Sequence, residues 1–339
     1  LILGADGDYF HVTGTTTIDD NTIGGTTAPS FAGIVAAGGS VVITDNALTN
    51  APRPIKLEDA DGTGPAAPPT DVSILRNTIT GSDYTAIEIA CQISGTTKEI
   101  KNNIISGVSA TNYGDGIDIY NPLNWDVSGQ NTGFTISGND ISGGTAYFAA
   151  MWMDIADSTI SGNIIHDNSQ GIMLQDGTGN TIEYNVITNT GGAGAGAIGG
   201  GIILYGTDRF NVHPGTVYGS KDNTIQFNTI TGGDIGIAVT DLSDANSIDD
   251  NDINDNGIGV QVKTLNPGRA PTSVPISNND LTGNTVGIQV SGGGTVDAGG
   301  GGTSAGGNDL SGYTGALGNY AIENLNTVAD SQPDVYAMY

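Results

Sequence analysis

Ile, Val, Leu and Met stand at every second position of short runs along most of this chain, and Gly, Asn, Asp or Thr break each run. Such alternation predicts short β-strands with one side-chain set facing a core. The stretch "NTIQFNTITGGDIGIAVTD", residues 223–241, shows the pattern with one amide, Asn228, lodged where a strand turns. Aligning on the Asn of "I-x-x-N-x-I" gives ten copies, at Asn21, Asn46, Asn77, Asn103, Asn139, Asn163, Asn185, Asn228, Asn251 and Asn279. A second block, "G-I-x-I", follows each copy, at Ile34, Ile55, Ile87, Ile117, Met151, Ile172, Ile202, Ile237, Val260 and Ile288. In five copies the step from Asn to block is the same, 9 residues (46 to 55, 163 to 172, 228 to 237, 251 to 260, 279 to 288). Repetition at a fixed spacing marks one structural unit.

The shortest ladder spacings are 22, 23 and 24 residues (163 to 185, 228 to 251, 139 to 163). No unit has room for a ten-residue helix with a 3.6-period stripe, which disfavours leucine-rich and other mixed repeats. What remains is an all-β solenoid, a right-handed parallel β-helix of about eleven coils stacked at about 4.8 Å. The recurring Asn is expected to hydrogen-bond its copies above and below as an internal ladder. Asn also tolerates the left-handed conformation that a sharp corner demands, so the ladder reads as scaffold. Residues 1–339 are expected to form one domain, with degenerate coils over 293–339 marked by "GGNDL" at Asn308 and "YAIEN" at Ile322.

These units resemble the right-handed parallel β-helix repeats of the pectate-lyase-like superfamily, in the short "N-x-I-x-x-N…G-I-x-I" form of copper-maturation periplasmic and bacterial surface proteins. The resemblance spans almost the whole chain and implies the fold. It implies much less about activity, because that superfamily holds lyases, hydrolases, epimerases, tailspikes and adhesins.

Charge narrows the partners. Nine Lys and Arg against 36 Asp and Glu leave a net charge of −27. Nucleic acid is thereby disfavoured, since phosphate binding needs clustered cations. Polyuronates and sulfated sugars are repelled unless Ca²⁺ or local Lys and Arg invert the field. The one cysteine, Cys91, shares the face of Ile87 and Ile89 and is expected to be a buried thiol. No apolar run has membrane length, and few Lys with much Gly, Thr and Asn suit an extracellular or cell-surface protein.

Insertions carry the candidate chemistry, because loops on a rigid solenoid carry variation. The step from Asn to block lengthens to 14 after Asn103 and 17 after Asn185, and the step from block to next Asn reaches 22 after Ile117 and 26 after Ile202. Both corners flank the G-I-x-I strand, so its outward residues would floor a groove walled by residues 106–115, 121–132, 188–200 and 206–222. By alternation, one floor column reads Lys56, Glu88, Asp118, Trp152, Met173, Ile203 and Ala238. The other reads Glu58, Ala90, Tyr120, Asp154, Gln175, Tyr205 and Thr240.

Tyr120, Trp152 and Tyr205 offer flat apolar faces with polar edges for a polysaccharide or surface glycan, Gln175 and the carboxylates offer hydroxyl-binding groups, and Trp125, Arg209 and His213 stand on the walls. A non-catalytic scaffold or adhesion module binding glycan is the leading expectation, and a polysaccharide lyase, hydrolase or uronan epimerase is the alternative. The catalytic candidates are Glu88, Asp118 and Asp154. Glu88 and Asp118 fall on adjacent coils near the roughly 5 Å separation of retaining glycosidases, where burial or repulsion would have to raise one pKa. The same pair could hold Ca²⁺ through oxygen ligands; no other cofactor is implied. "YGTDRFNVHPG" faintly resembles the Tyr-Gly-x-Asp-Pro-His motif of mannuronan epimerases at Tyr205, Gly206 and Asp208, but Arg209 replaces Pro and His213 lies too far along. His11 and His166 read as isolated turn or edge residues. The ends, "LILGADGDYF" and "DVYAMY", show no capping helix or blunted edge, so the chain is expected to continue into further domains or to stack end to end with copies of itself.

Overall fold

The computed structural model describes residues 14–24, 32–36, 38–58, 68–109, 114–121, 130–144, 149–191, 198–206, 219–266, 268–299, 306–316, 318–326 and 335–336. Every regular element among them is a β-strand. The chain divides into two compact units, Leu1–Asn168 and Ser169–Tyr339.

In the first unit the strands stack in three parallel rows. One runs Thr15–Asp19, Ser40–Thr44, Val72–Leu75, Lys98–Lys101, Thr135–Ser137 and Thr159–Ser161. The second runs from Thr22–Gly24 to Ile164–His166. The third runs Ala32–Ala36, Arg53–Glu58, Ile87–Ala90, Ile117–Tyr120 and Ala149–Met153. The second unit repeats the plan, with a third row of Gln170–Gln175, Ile202–Tyr205, Ile235–Thr240, Ile258–Lys263, Val286–Ser291 and Tyr320–Asn324. This is the right-handed parallel β-helix expected from the repeat.

Each row contributes one apolar column to the core. Ile43, Ile74, Ile100, Ile136 and Ile160 from the first row are fully buried, as are Ile55, Ile87, Ile117 and Met151 from the third. Cys91 lies buried among them as a thiol outside any disulfide. A fully buried Ile side chain contributes roughly 1.5–3 kcal/mol, so each coil is held mainly by the two or three it sends inward.

The Asn ladder runs through each unit. In the first, the side-chain Nδ2 of Asn21, Asn46, Asn77, Asn103 and Asn139 donates to Oδ1 of the next Asn at 2.9–3.0 Å, ending on Asn163. In the second the same bond links Asn185, Asn228, Asn251, Asn279 and Asn308 at 2.9–3.0 Å. Each Oδ1 also accepts the backbone N–H of the preceding Asn, as from Asn228 to Asn251 at 3.0 Å. The left-handed conformation, however, belongs to the residue before the Asn, not to the Asn itself. Asp20, Asp45, Arg76, Asn102, Tyr184, Phe227, Asp250 and Asn278 have φ between 53° and 57°, with Gly138, Gly162 and Gly307 completing the column. The kink turns the following Asn inward, where its amide replaces the backbone partners that the corner interrupts.

Further ladders stand at other corners. Asn180, Asn223 and Asn246, each five residues before a ladder Asn, link at 3.0 and 2.9 Å, and Asn256 donates to Asn284, five residues after. Gly fills most of the position before the first Ile of G-I-x-I because a Cβ would strike the next coil. At Gly171 it would lie 2.1 Å from the Gly201 carbonyl oxygen, and at Gly287 2.5 Å from that of Ala321.

His166, expected to be an isolated edge residue, bridges two carboxylates, Asp167 at 2.9 Å through Nδ1 and Asp140 at 3.4 Å through Nε2. The Asp167 hydrogen bond raises its pKa above the ordinary 6.5, with partial burial opposing and both negative charges assisting. A raised histidine pKa stabilises the fold below the unfolded value, and the gain is lost as pH rises through the folded one. His166→Gln should therefore lower the unfolding free energy at pH 5.5 by about 0.5 kcal/mol for so exposed a pair, seen as a slightly lower melting temperature, and leave both unchanged at pH 8.5. Equal losses at both pH values would exclude an ionic role.

Candidate functional site

The third row of the first unit sets the outer positions in register. Lys56, Glu88, Asp118 and Trp152 are successive Cα partners, and Glu58, Ala90 and Tyr120 form the neighbouring column. The expected pairing of Glu88 with Asp118 on adjacent strands is thus present, at about one strand spacing. Their side chains are not on an open floor, however: Glu88 is 6% exposed and Asp118 7%.

A closed polar network accounts for part of this burial. The Tyr120 hydroxyl donates to Glu88 Oε1 at 2.8 Å across the strands. Arg53 Nε lies 3.1 Å from Glu88 Oε2, and its guanidinium also sits 4.7 Å from the centre of the Tyr84 ring. Burial, then the charges of Glu88 and Asp118, push the Tyr120 phenol well above its usual pKa, with Arg53 opposing. Tyr120 therefore stays protonated and acts as a donor. Asp154, on the following turn, accepts from the Gln130 amide. Trp152 is half-buried beside Asp118 in the register.

Of the remaining expected site residues, Gln175 and Tyr205 are Cα partners in the second unit, Gln175 buried and Tyr205 half-buried. The floor there is not open as alternation implied. Met173, Ile203, Ala238 and Thr240 are 0–6% exposed. Ser220 Oγ donates to the carbonyls of Leu174 and Tyr205 and the Ser243 hydroxyl to that of Leu204, so the segments holding these serines close over the strand ends, and Thr240 Oγ1, at the end of its own strand, also donates to Leu204. Trp125, Arg209 and His213 lie outside the described residues, as do most of the wall segments.

Ca²⁺ takes six to eight oxygen ligands, of which Glu88 and Asp118 would be two. A guanidinium already holds Glu88, and no group of three carboxylates, His or Cys gathers for a metal among the described residues. Arg53 is the residue that sequence reasoning missed. Its place at the start of "RPIKLE", three positions before Lys56, carries no signal of a partner in the next coil.

The family model described as right handed beta helix region matches residues 64–213 and 209–301. The chain belongs to that family. Among solved structures, this β-helix is similar to a mutant of the periplasmic alginate epimerase AlgG, with 11% identity, 90% of this chain and 70% of that one covered, and a TM-score of 0.44. It is also similar to the tailspike protein gp49 of Acinetobacter baumannii bacteriophage Fri1, a capsular polysaccharide depolymerase, with 10% identity and a TM-score of 0.36. The alignment covers 90% of this chain and 58% of the tailspike. No curated protein matches the sequence. No helix among the described residues is long and apolar enough to cross a membrane.

Proposed function

We propose that this β-helix is a non-catalytic module of an extracellular or cell-surface protein that binds glycan on the outer face of the third strand row in its first unit. The observation that carries the reading is the engagement of Glu88 by both Tyr120 and Arg53. A general acid or nucleophile needs a carboxyl group free to meet the substrate, and this one is ion-paired on one oxygen and hydrogen-bonded on the other. The Tyr120 proton is already given to Glu88 Oε1, so toward a sugar the phenol oxygen is an acceptor for a hydroxyl rather than a base. Trp152 supplies a ring face and Asp154 a carboxylate on the adjoining strand and turn. Residues 1–339 belong, on this reading, to one β-helix domain of a larger or self-assembling surface protein.

A glycan array paired with a polysaccharide degradation assay tests the reading, and shortened or unsaturated sugar products would overturn it. Trp152→Ala should weaken glycan binding by about 1–3 kcal/mol, as for a partly buried aromatic anchor, while the protein stays folded. Asp118→Asn should only reduce affinity, whereas a turnover abolished by it would mark an enzyme and overturn the reading. If Trp152→Ala unfolds the protein yet leaves the affinity of the folded fraction intact, the ring is structural and the site lies elsewhere.

A further inference from the structure

The corner before each ladder Asn is left-handed, and among the described residues it carries Asp, Asn, Gly or Arg everywhere except in two successive coils. There it carries Tyr184 (φ 55°) and Phe227 (φ 56°). Bulky rings are poor choices for this backbone region, which favours Gly, Asn and Asp. Neither ring earns its place by burial, since Tyr184 is 59% exposed and Phe227 41%. They stack on each other instead, with centroids 5.2 Å apart and planes 14° from parallel. Strained, exposed and preorganised residues of this kind point to a binding role.

The corner column supplies the chemistry of the ligand. The next rung after Phe227 is Asp250, whose carbonyl accepts the Phe227 N–H at 3.1 Å. Asp250 is exposed and makes no side-chain hydrogen bond or ion pair among the described residues. Beside this column lie Glu183, bonded by the Gln226 amide at 2.8 Å, and Asp249, the Cα partner of Gln226. No cation of the described residues pairs with any of these three carboxylates. The first unit shows what fits such a corner: Arg76 lays its guanidinium against the corner carboxylate of the preceding coil, with Nε 2.8 Å from Asp45 Oδ1 and Nη2 2.6 Å from Oδ2. A guanidinium is also the cation best suited to lie flat on an aromatic face while forking to a carboxylate.

We propose that Tyr184, Phe227 and Asp250 form a binding site for a guanidinium group, the arginine side chain of a partner protein, stacked as a further rung on the rings and paired with Asp250. The site is separate from the glycan-binding face and does not rest on it. The net charge of −27 draws a basic partner from a distance, and the ring stack gives arginine its advantage over lysine.

Isothermal titration of the whole chain with hexa-arginine and hexa-lysine at physiological salt tests this. The expected result is at least tenfold tighter binding of hexa-arginine, with at least a fivefold loss in Phe227→Asn and in Asp250→Asn. Asp157→Asn, which removes a charge at a left-handed position of the first unit, should leave the affinity unchanged. Asn suits the left-handed backbone, so Phe227→Asn should fold; if it does not, the Asp250→Asn loss alone decides. Equal binding of both peptides, or an equal loss in Asp157→Asn, would reduce the effect to bulk charge and overturn the proposal. So would a neutral dextran oligosaccharide that binds and is lost in Phe227→Asn while hexa-arginine binding persists.

Discussion

Asn228→Ala is expected to lower the unfolding free energy by about 4 kcal/mol, among the largest losses any single substitution here should cause. Asn228 is 1% exposed. Its Nδ2 donates to the carbonyls of Ile182 and Gln226 at 2.9 and 3.0 Å and to Asn251 Oδ1 at 2.9 Å. Its Oδ1 accepts both the backbone N–H of Asn185 at 3.0 Å and that residue's Nδ2 at 2.9 Å. Truncation leaves a buried N–H and buried carbonyls without partners, each costing roughly 1–3 kcal/mol. Asn228→Asp should be worse at neutral pH, because a carboxylate would face the Ile182 and Gln226 carbonyls. Burial raises the pKa of such an acid, so stability should partly return as the pH falls and the group takes up a proton. Urea denaturation at pH 8 and pH 4 measures both effects. An alanine variant within 1 kcal/mol of the parent, or an aspartate variant indifferent to pH, would show that the ladder contributes little.

Gly236→Ala should cost about 3 kcal/mol, in the range of overpacked cores. The added Cβ would fall 2.3 Å from an Ile253 methyl carbon and 2.6 Å from the Gly259 carbonyl oxygen, one side-chain and one backbone obstacle. The first unit shows the form of relief available, since Ala86 and Ala150 occupy equivalent positions, both buried, on either side of Gly116. A methyl group is thus accommodated at two rungs of that column, although a Cβ at Gly116 between them would lie 2.5 Å from the Ala150 carbonyl oxygen. In the second unit the position is Gly in Gly171, Gly201, Gly236, Gly259 and Gly287, so one alanine meets neighbours set for none. Hydrogen exchange should show the loss concentrated in the coils of Ile237 and Val260. A melting temperature equal to the parent's would mean that the coils slide apart without cost.

The fold was legible because two signals reinforce each other, period-2 apolar runs and an amide at a constant offset, and no helical stripe competes with them. The corner conformation was misplaced by one residue because Asn is, among non-glycine residues, a favoured left-handed type, whereas here Asp45, Arg76, Tyr184 and Phe227 take the kink and free Asn to turn inward. The extra ladders had a readable signal, the N-x-x-x-x-N spacing of Asn180 with Asn185 and of Asn223 with Asn228. Register was also legible, which is why Glu88, Asp118 and Trp152 align. Their accessibility was not, because alternation distinguishes the two faces of a strand and says nothing of what covers the outer one. Arg53 reaches Glu88 across a coil boundary, and the Ser220 and Ser243 hydroxyls close the ends of strands distant in sequence.

Every Asn bond in a unit points the same way, Nδ2 toward the coil that follows. Aligned amides polarise one another, so an interior rung is stronger than an isolated one. Successive coils are also mechanical links in series, each joined by its Asn rung together with the backbone bonds of its strands, and the weakest junction sets the breaking load. In the first unit that link is the bond from Asn21, the half-exposed member of a chain whose other members are buried. Under tension the first unit should therefore shed coils one at a time from Asn21 inward, giving a regular sawtooth rather than a single rupture.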